Sequence, residues 1–317
     1  MLTIGSNINE MRIDGNLKAL RSDLVTFLGF GLTAAEITVH GLDAIRNGRL
    51  DVKRTKEIAA IMNDYPLCYS AHAPNPLNLM ERDNLELHRE VFHASLEFCA
   101  QTGIDVIVYH PGRYLPEEEF AINSRIDIGS DEKIRLLEQE ATLLREAADA
   151  FPGIVIAMEN ARPYLHHSPY CYAEIPSGLK SQVEAINRKN VRITMDFGHL
   201  HLSARYYGFD AVEEMRSLSP LIAHCHVHDN FGASVNYSEK IQTHLIPFGK
   251  GDAHMPVGWG NIPFEEYLME MIDEFDGILI CELRGRYFDH TGESVRNLGV
   301  ILHTVGVGTK LAELSVT

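Results

Sequence analysis

Eight short apolar runs alternate along the chain with eight longer segments whose apolar residues recur at a helical period. The apolar runs are Leu2–Ile4, Ile37–Val39, Leu67–His72, Val106–His110, Ile154–Glu159, Val191–Asp196, Ile222–His228 and Ile278–Glu282. Several are continuous stretches of Val, Ile and Leu, which is typical of parallel strands covered by helices. The helical segments are Leu17–Leu28, Val52–Met62, Asn84–Thr102, Lys133–Ala150, Leu179–Asn187, Ala211–Leu218, Phe264–Phe275 and Glu293–Thr304. Eight β-then-α units predict a single (β/α)8 TIM barrel over residues 1–317.

A doubly wound open sheet is the alternative fold for alternating strands and helices. A Gly-rich phosphate turn after the first strand would favour that fold, and none follows Leu2–Ile4. In a barrel the active site is expected at the carboxyl ends of the strands. Three long segments, Gly112–Asp131, Ala161–Pro176 and Asn230–Pro256, follow predicted strands and would lie on that face.

Charge and hydropathy exclude several classes of partner. A net charge of −16 argues against a nucleic-acid surface, which needs clustered Lys and Arg. No window is apolar for long enough to cross a bilayer. The first residues lack the basic-then-apolar form of a secretory signal, and five cysteines without paired spacing are expected as buried free thiols. We therefore expect a cytoplasmic protein without membrane contact. The weakly patterned segment Val305–Thr317 is interpreted as a tail or a contact within a homo-oligomer.

Six consecutive apolar runs, from the third to the eighth, end in histidine or carboxylate residues. These ends are His72, His110, Glu159, Asp196 with His199, His226 to Asp229, and Glu282. A single such residue is more often a helix cap or a hydrogen-bonded structural group than a ligand. Six of them converging on one barrel face would be costly to bury without a cation. The set therefore predicts a metal centre.

The seventh run carries three histidines, His224, His226 and His228, at a period of two. Because side chains alternate along a strand, all three point to one side of it. The spacing alone does not decide which of the three is a ligand. Beyond this run, Asp252 and His254 stand two apart in a loop and add two more candidate ligands.

From about Ala71 to Arg284 the chain resembles the xylose-isomerase-like barrels, which include sugar phosphate isomerases/epimerases and endonuclease IV. The resemblance rests on the order of strand-end residues, on Asp196-Phe-Gly-His199, and on His228-Asp229-Asn230 followed by Asp252-Ala-His254 and Gly258-Trp259-Gly260. It implies a four-ligand epimerase core of Glu159, Asp196, His226 and Glu282. His226 is chosen because it stands three residues before Asp229, as in the family pattern, and His224 is then expected one layer deeper as a core histidine. The nine-ligand, three-zinc site of endonuclease IV maps onto His72, His110, Glu159, Asp196, His199, His226, Asp252, His254 and Glu282.

The same residues support two enzymatic hypotheses. In the first, an isomerase or epimerase acts on a small sugar, sugar phosphate or polyol, with Glu159 and Glu282 moving the proton and His199 assisting. His228, Trp259 and Arg284 are the expected substrate-binding residues. In the second, several metal ions promote phosphoester hydrolysis of a small substrate. A binding protein without turnover is a third hypothesis. The His/Asp/Glu donors suit Zn²⁺, Mn²⁺, Fe²⁺ or Co²⁺, with one to three ions per chain.

Overall fold

A computed structural model of the protein describes residues 2–116, 119–120, 128–240 and 243–307. Parts of two predicted loops, residues 117–118 and 121–127 in the first and 241–242 in the second, lie outside the described residues. The interpretation of the final segment as a tail or an oligomer contact also falls mostly there, at residues 308–317.

Eight parallel strands close into a barrel, as the alternating apolar runs predicted. The barrel strands are β1 (Thr3–Ile8), β2 (Ala34–Thr38), β5 (Cys68–His72), β6 (Val106–Tyr109), β7 (Val155–Glu159), β8 (Val191–Asp196), β9 (Ile222–Val227) and β10 (Ile278–Cys281). Their order around the barrel is β1-β10-β9-β8-β7-β6-β5-β2. Two short strands outside the barrel, β3 (Ile45–Arg46) and β4 (Arg49–Leu50), form an antiparallel hairpin. The hairpin turns at Asn47 and Gly48, both at positive φ, as an Asn-Gly turn requires.

Within the described residues, ten α-helices connect and cover the strands. They are α1 (Glu10–Ile13), α2 (Leu17–Gly29), α3 (Val52–Met62), α4 (Leu85–Thr102), α5 (Ser130–Ala150), α6 (Pro176–Ile186), α7 (Phe197–Tyr207), α8 (Ala211–Leu218), α9 (Phe264–Met269) and α10 (Thr291–Thr304). All eight predicted helical segments contain a helix, although α9 ends six residues earlier than expected. Helix α7 was not predicted. Its residues from Phe197 to Ser203 are all buried, so the helix lacks the polar face by which a surface helix is recognised.

The core and the site use opposite faces of the same strands. On β9, Cys225 and Val227 belong to the apolar core, whereas His224 and His226 are fully buried against carboxylates. The alternation of side chains along this strand therefore agrees with its sequence pattern.

All five cysteines are free thiols, as predicted. One part of that prediction is wrong, because Cys68 is exposed. It occupies the first position of β5, at the solvent end of the strand. Among the described helices, none combines the length and the apolar character that a bilayer crossing demands.

Candidate metal centre

Imidazole and carboxylate groups gather at the carboxyl ends of the barrel strands in three neighbouring groups. Within each group the candidate donor atoms lie within 4.8 Å of one another. The groups are His72, His110 and Glu159; Glu159, Asp196, His226 and Glu282; and His199, His228, Asp252 and His254. The nine residues singled out in the sequence are thus brought together, and His228 joins them. We call these groups inner, central and outer, in that order.

His226 stands at the middle of the central group. Its Nδ1 lies 3.3 Å from Oε1 of Glu159 and 3.4 Å from Oε2 of Glu282. The same atom is 3.9 Å from Oδ2 of Asp196. One imidazole nitrogen therefore faces three carboxylates from three other strands or strand ends. Of the three histidines at period two, His226 is the one with this environment.

A fourth buried carboxylate, Glu36 of β2, lies behind His226. Its Oε1 is 3.0 Å from Nε2 of His226, and its Oε2 is 2.8 Å from Nε2 of His224. The Ser70 hydroxyl also donates to Oε2, at 3.0 Å. Glu36 and both histidines are fully buried. Sequence reasoning missed Glu36, although a lone glutamate inside an apolar strand was a usable signal, because such a charge must find a partner.

The outer group is built on the start of α7. Asp196 caps this helix, since its Oδ1 accepts a hydrogen bond from the backbone N–H of His199 at 2.7 Å. Nδ1 of His199 lies 2.8 Å from the backbone oxygen of Asn160. Donation from Nδ1 leaves Nε2 directed at Oδ2 of Asp252, 3.4 Å away. The Asp-x-x-His element therefore serves both as a helix cap and as a pair of candidate ligands.

His228 lines neither part of the cavity described below, and its role in substrate binding stays a prediction. Its ring is fully buried, with Nε2 3.0 Å from Oδ2 of Asp196. It stacks on His254, with ring centroids 3.8 Å apart, and it packs directly against Gly198. A side chain at Gly198 would collide with this ring. The two-residue spacing of the histidines correctly predicted which side of β9 the His228 side chain points to. His254 and Gly198 of α7 pack against its ring and separate it from the cavity.

The loop that carries Asp252 and His254 is held in place by Asp229. The Asp229 carboxylate accepts hydrogen bonds from the backbone N–H groups of Gly258 at 2.9 Å and Ile262 at 3.3 Å. His254 adopts a positive φ of 44°, and its Nε2 lies 2.8 Å from Oδ2 of Asp252. Asp229 therefore organises the loop and does not itself belong to any of the three groups.

Trp259 also departs from expectation, because it lines neither part of the cavity described below. Its indole N–H donates to Glu293 of α10 at 2.9 Å, and its ring meets His290 edge-on with centroids 4.7 Å apart. About a third of the residue is exposed. The tryptophan attaches its loop to α10 and is found outside the cavity, while its role in substrate binding stays a prediction.

The buried carboxylates of the centre are ionised, and neighbouring imidazoles are the cause. Burial opposes charge on Glu159, but His226 and His110 outweigh it and hold its pKa well below the ordinary value. Burial likewise opposes charge on Asp196, yet His199 and His228 lower its pKa to about 2. Negative charge is therefore concentrated in a region that water barely reaches.

Two buried carboxylate oxygens of the centre face imidazole nitrogens without a hydrogen bond to any described residue. Nε2 of His110 lies 2.9 Å from Oε2 of Glu159, but that oxygen has no hydrogen-bond partner among the described residues. Oδ1 of Asp252 also has no hydrogen-bond partner among the described residues, and the nearby Nε2 of His228 is 3.8 Å away. Buried carboxylate oxygens without a hydrogen-bond partner, close to imidazole nitrogens, suit a shared cation. These residues therefore fit a divalent metal.

The three groups border a cavity with two connected parts. The first, the metal lobe, has a volume of about 250 Å³ and is lined by His72, Glu159, Asp252, His254, Glu282 and Arg284, among others. The second, the side chamber, has about 210 Å³ and is lined by residues that include Asn75, Arg113, Arg162, Tyr170, Tyr237 and Lys240. Arg284 thus lies at the cavity, and its role in substrate binding stays a prediction.

Arg162 is a second residue that sequence reasoning missed. Its Nε lies 3.1 Å from Oδ2 of Asp252, and its Nη1 lies 3.0 Å from Nε2 of His199. It stands three residues after Glu159, in the loop that follows β7. The only signal for Arg162 in the sequence was a basic residue three positions after a strand-end carboxylate.

Comparison with known proteins agrees with this architecture. The family model described as "Xylose isomerase-like TIM barrel" matches residues 28–301. The uncharacterized protein MJ1311 of Methanocaldococcus jannaschii is 28% identical over 275 residues, which cover 81% of each chain. A crystal structure of a D-tagatose 3-epimerase-like protein superposes with a TM-score of 0.69 at 23% identity, covering 96% of this chain and 98% of the other. The IolI protein with a bound zinc atom superposes with a TM-score of 0.63 at 18% identity, covering 96% and 98%.

At these identities the two solved structures show the fold alone, whereas the family model covers most of the chain. The closed parallel barrel and the family match lead to one conclusion. The chain belongs to the xylose isomerase-like TIM barrel family.

Proposed function

We propose that the protein is a divalent-metal-dependent isomerase or epimerase of a small sugar, sugar phosphate or polyol. The observation that carries the proposal is the central group, in which Glu159 and Glu282 approach one imidazole nitrogen of His226 within 3.4 Å. These glutamates come from β7 and from the end of β10, on either side of β9 in the barrel order. The likeness to a D-tagatose 3-epimerase-like protein supports a sugar as substrate.

The metal would be held first by the central group, Glu159, Asp196, His226 and Glu282. When bound there, a divalent cation polarises a carbonyl and its neighbouring hydroxyl and acidifies the proton on the adjacent carbon. The three groups offer nitrogen and carboxylate oxygen donors and no cysteine, which suits Zn²⁺, Mn²⁺, Fe²⁺ or Co²⁺. The zinc atom in the structurally similar IolI protein supports Zn²⁺ as one candidate.

The protein's own contribution is to move a proton between two faces of the substrate. Glu159 is only 2% exposed and is kept ionised by its histidines, so one carboxylate is ready to accept a proton. Glu282 is 17% exposed and faces the metal lobe, where it is placed to return the proton from the other side. Removal on one face and return on the other inverts the carbon. His199 and Arg284 orient the substrate hydroxyl groups.

Phosphoester hydrolysis is the second candidate, favoured by the number of converging ligands. The inner and outer groups add His72, His110, His199, Asp252 and His254 to the central one. Proton transfer needs a single cation, whereas in-line displacement at phosphorus often uses two or three. The net charge of −16 makes a small phosphorylated molecule a better substrate than a nucleic acid.

Deuterium exchange separates the two candidates. Metal-loaded protein is incubated in D₂O with D-tagatose, D-fructose, D-ribulose and D-ribulose 5-phosphate, and deuterium at the carbons flanking the carbonyl is followed by NMR. Proton transfer by Glu159 and Glu282 would exchange at least one of these positions. Release of inorganic phosphate from D-ribulose 5-phosphate without any exchange would contradict the isomerase and favour the hydrolase.

Glu36 is expected to strengthen the metal centre through His226. A carboxylate that accepts a hydrogen bond from the far N–H of a ligating histidine fixes the histidine's tautomer and raises its basicity. We therefore expect Glu36→Gln to weaken metal binding roughly 10- to 100-fold, measured by competition with a chromogenic chelator. Ser70→Ala is the control, because it removes one hydrogen bond to Glu36 but leaves both histidine contacts. Equal affinities for wild type and Glu36→Gln would contradict this role.

A further inference from the structure

We propose that Asn160 is a positioning residue of the metal centre, which fixes Asp196 through its side chain and His199 through its backbone. The inference rests on the metal centre of the proposed function and concerns a residue that is not itself a candidate ligand. Asn160 directly follows Glu159 at the end of β7 and is only 1% exposed. An amide buried to this degree needs partners for its polar atoms, and it finds them on Asp196.

The side chain of Asn160 takes the place of a strand in pairing with Asp196. The pairing of β7 with β8 reaches Glu159 opposite Thr194, where β7 ends. Beyond that point, Oδ1 of Asn160 accepts the backbone N–H of Asp196 at 2.7 Å, and Nδ2 donates to the backbone oxygen of Asp196 at 2.9 Å. On its other side Asp196 pairs with His226 of β9. Asp196 is therefore held between a strand on one side and an amide on the other.

A fixed backbone fixes the direction of the Asp196 carboxylate. Its Oδ1 accepts the His199 N–H at 2.7 Å, and its Oδ2 lies 3.0 Å from Nε2 of His228 and 3.9 Å from Nδ1 of His226. Asp196 is fully buried. Without the amide of Asn160, its backbone N–H and C=O would lose their partners in the interior, and the strand end would shift to satisfy them. Such a shift would withdraw a ligand from the central group.

The backbone oxygen of Asn160 orients the second residue, His199. This oxygen lies 2.8 Å from Nδ1 of His199. Because a carbonyl oxygen only accepts hydrogen bonds, the ring must carry its proton on Nδ1. Nε2 then presents a lone pair, 3.4 Å from Oδ2 of Asp252 in the outer group, and a carbonyl partner of this kind commonly orients ligating histidines. One residue thus orients a member of the central group and a member of the outer group.

The test compares Asn160→Leu with Asn190→Leu, the same substitution at the opposite end of β8. Asn190 directly precedes β8, and its Nδ2 donates to the backbone oxygens of Ala148, Phe151 and Ile154 at 3.0, 3.2 and 3.1 Å. Leucine there removes amide-to-backbone bonds far from the centre, so it controls for a general loss of stability. Asn160→Ala is the second variant, because its smaller side chain leaves room for water at the Asp196 backbone if the leucine variant fails to fold.

We expect both Asn160 variants to bind Zn²⁺ roughly 10- to 100-fold more weakly than wild type, measured by competition with a chromogenic chelator. The visible absorption spectrum of Co²⁺-loaded protein should also change, because Asp196 and His199 would be placed differently around the ion. In chelator-treated protein, hydrogen–deuterium exchange of the backbone amides at the start of α7 should become faster, as followed by mass spectrometry. Asn190→Leu should lower Tm and leave these three measurements as in wild type.

Two results would overturn the inference. One is wild-type zinc affinity with an unchanged Co²⁺ spectrum in the Asn160 variants. The other is an equal loss of zinc affinity in Asn190→Leu, which would assign the effect to the stability of the barrel.

Failure of the proposed function gives different results. A wild type that binds metal but exchanges no substrate proton would overturn the isomerase, and the metal measurements would still decide the role of Asn160. A wild type that takes up no metal would overturn the metal centre, and amide exchange at α7 would then decide that role. Faster exchange confined to the Asn160 variants would uphold the positioning of Asp196 and His199, and unchanged exchange would overturn it.

Discussion

Glu282→Gln is expected to lower kcat about a thousandfold while the protein keeps its metal. Glutamine preserves the volume and one oxygen donor of the side chain but can no longer accept a proton, and positioned acid–base groups are worth roughly 10²- to 10⁴-fold in rate. The remaining members of the central group, Glu159, Asp196 and His226, are less exposed than Glu282 and stay in place. The measurements are the rate of deuterium exchange at saturating metal and the metal content by elemental analysis.

Glu10→Gln is the matched control, because Glu10 borders the metal lobe without belonging to any of the three groups. It should retain most of the wild-type rate. A Glu282→Gln protein with full metal and full exchange activity would contradict the role of Glu282 in proton transfer. If wild type and Glu282→Gln both lack exchange and both support the cellular function equally, the non-catalytic binding hypothesis gains instead.

Removal of metal is expected to abolish turnover and to lower Tm by about 8 °C. Without a metal ion, the buried charges of Glu159 and Asp196 are balanced by neighbouring imidazoles, and that of Asp252 is balanced by imidazoles and Arg162. A ligand present at a thousand times its Kd contributes about 4 kcal/mol of stability, and for a domain of this size each kcal/mol is worth roughly 2 °C. Thermal unfolding followed by circular dichroism, before and after dialysis against a chelator, measures the shift.

Add-back of Zn²⁺ or Mn²⁺ should restore both Tm and exchange activity, and buffer alone should restore neither. The variant His254→Gln removes a candidate ligand of the outer group and none of the central group, although Nδ1 of His254 also lies 3.3 Å from Oε2 of Glu282. Elemental analysis of the purified protein gives the number of ions. Near three zinc ions would favour hydrolysis, and one ion would favour proton transfer. A chelated, metal-free protein with unchanged activity would contradict both enzymatic proposals.

The sequence predicted the barrel well because its strands are covered on the outside by helices and are therefore nearly continuous in apolar residues. The unpredicted helix α7 marks the limit of that reasoning. Its first seven residues, Phe197 to Ser203, are all buried, so the hydrophobic periodicity of a surface helix is absent there. None of the eight predicted helical segments therefore included it.

The candidate ligands were predictable because strand ends of one barrel meet at one rim, whatever their separation along the chain. Glu36 was not, since its partners His224 and His226 lie nearly 190 residues away and nothing near Glu36 points to them. The sequence also could not predict how deeply each histidine of β9 is buried or what surrounds it. The same period of two describes His226, which faces three carboxylates, and His228, which is covered by His254.

Asp196 is both a helix cap and a candidate metal ligand, and this combination limits which variants can be interpreted. Its carboxylate starts helix α7 through the His199 amide and also contacts His228. An alanine at this position would confound chemistry with stability, because loss of activity could follow from an unravelled helix start as well as from a missing ligand. Glu282 caps no helix, so its substitution isolates the reaction from the fold. In this barrel, the mechanism is best tested by substituting candidate ligands that have no role in holding the fold together.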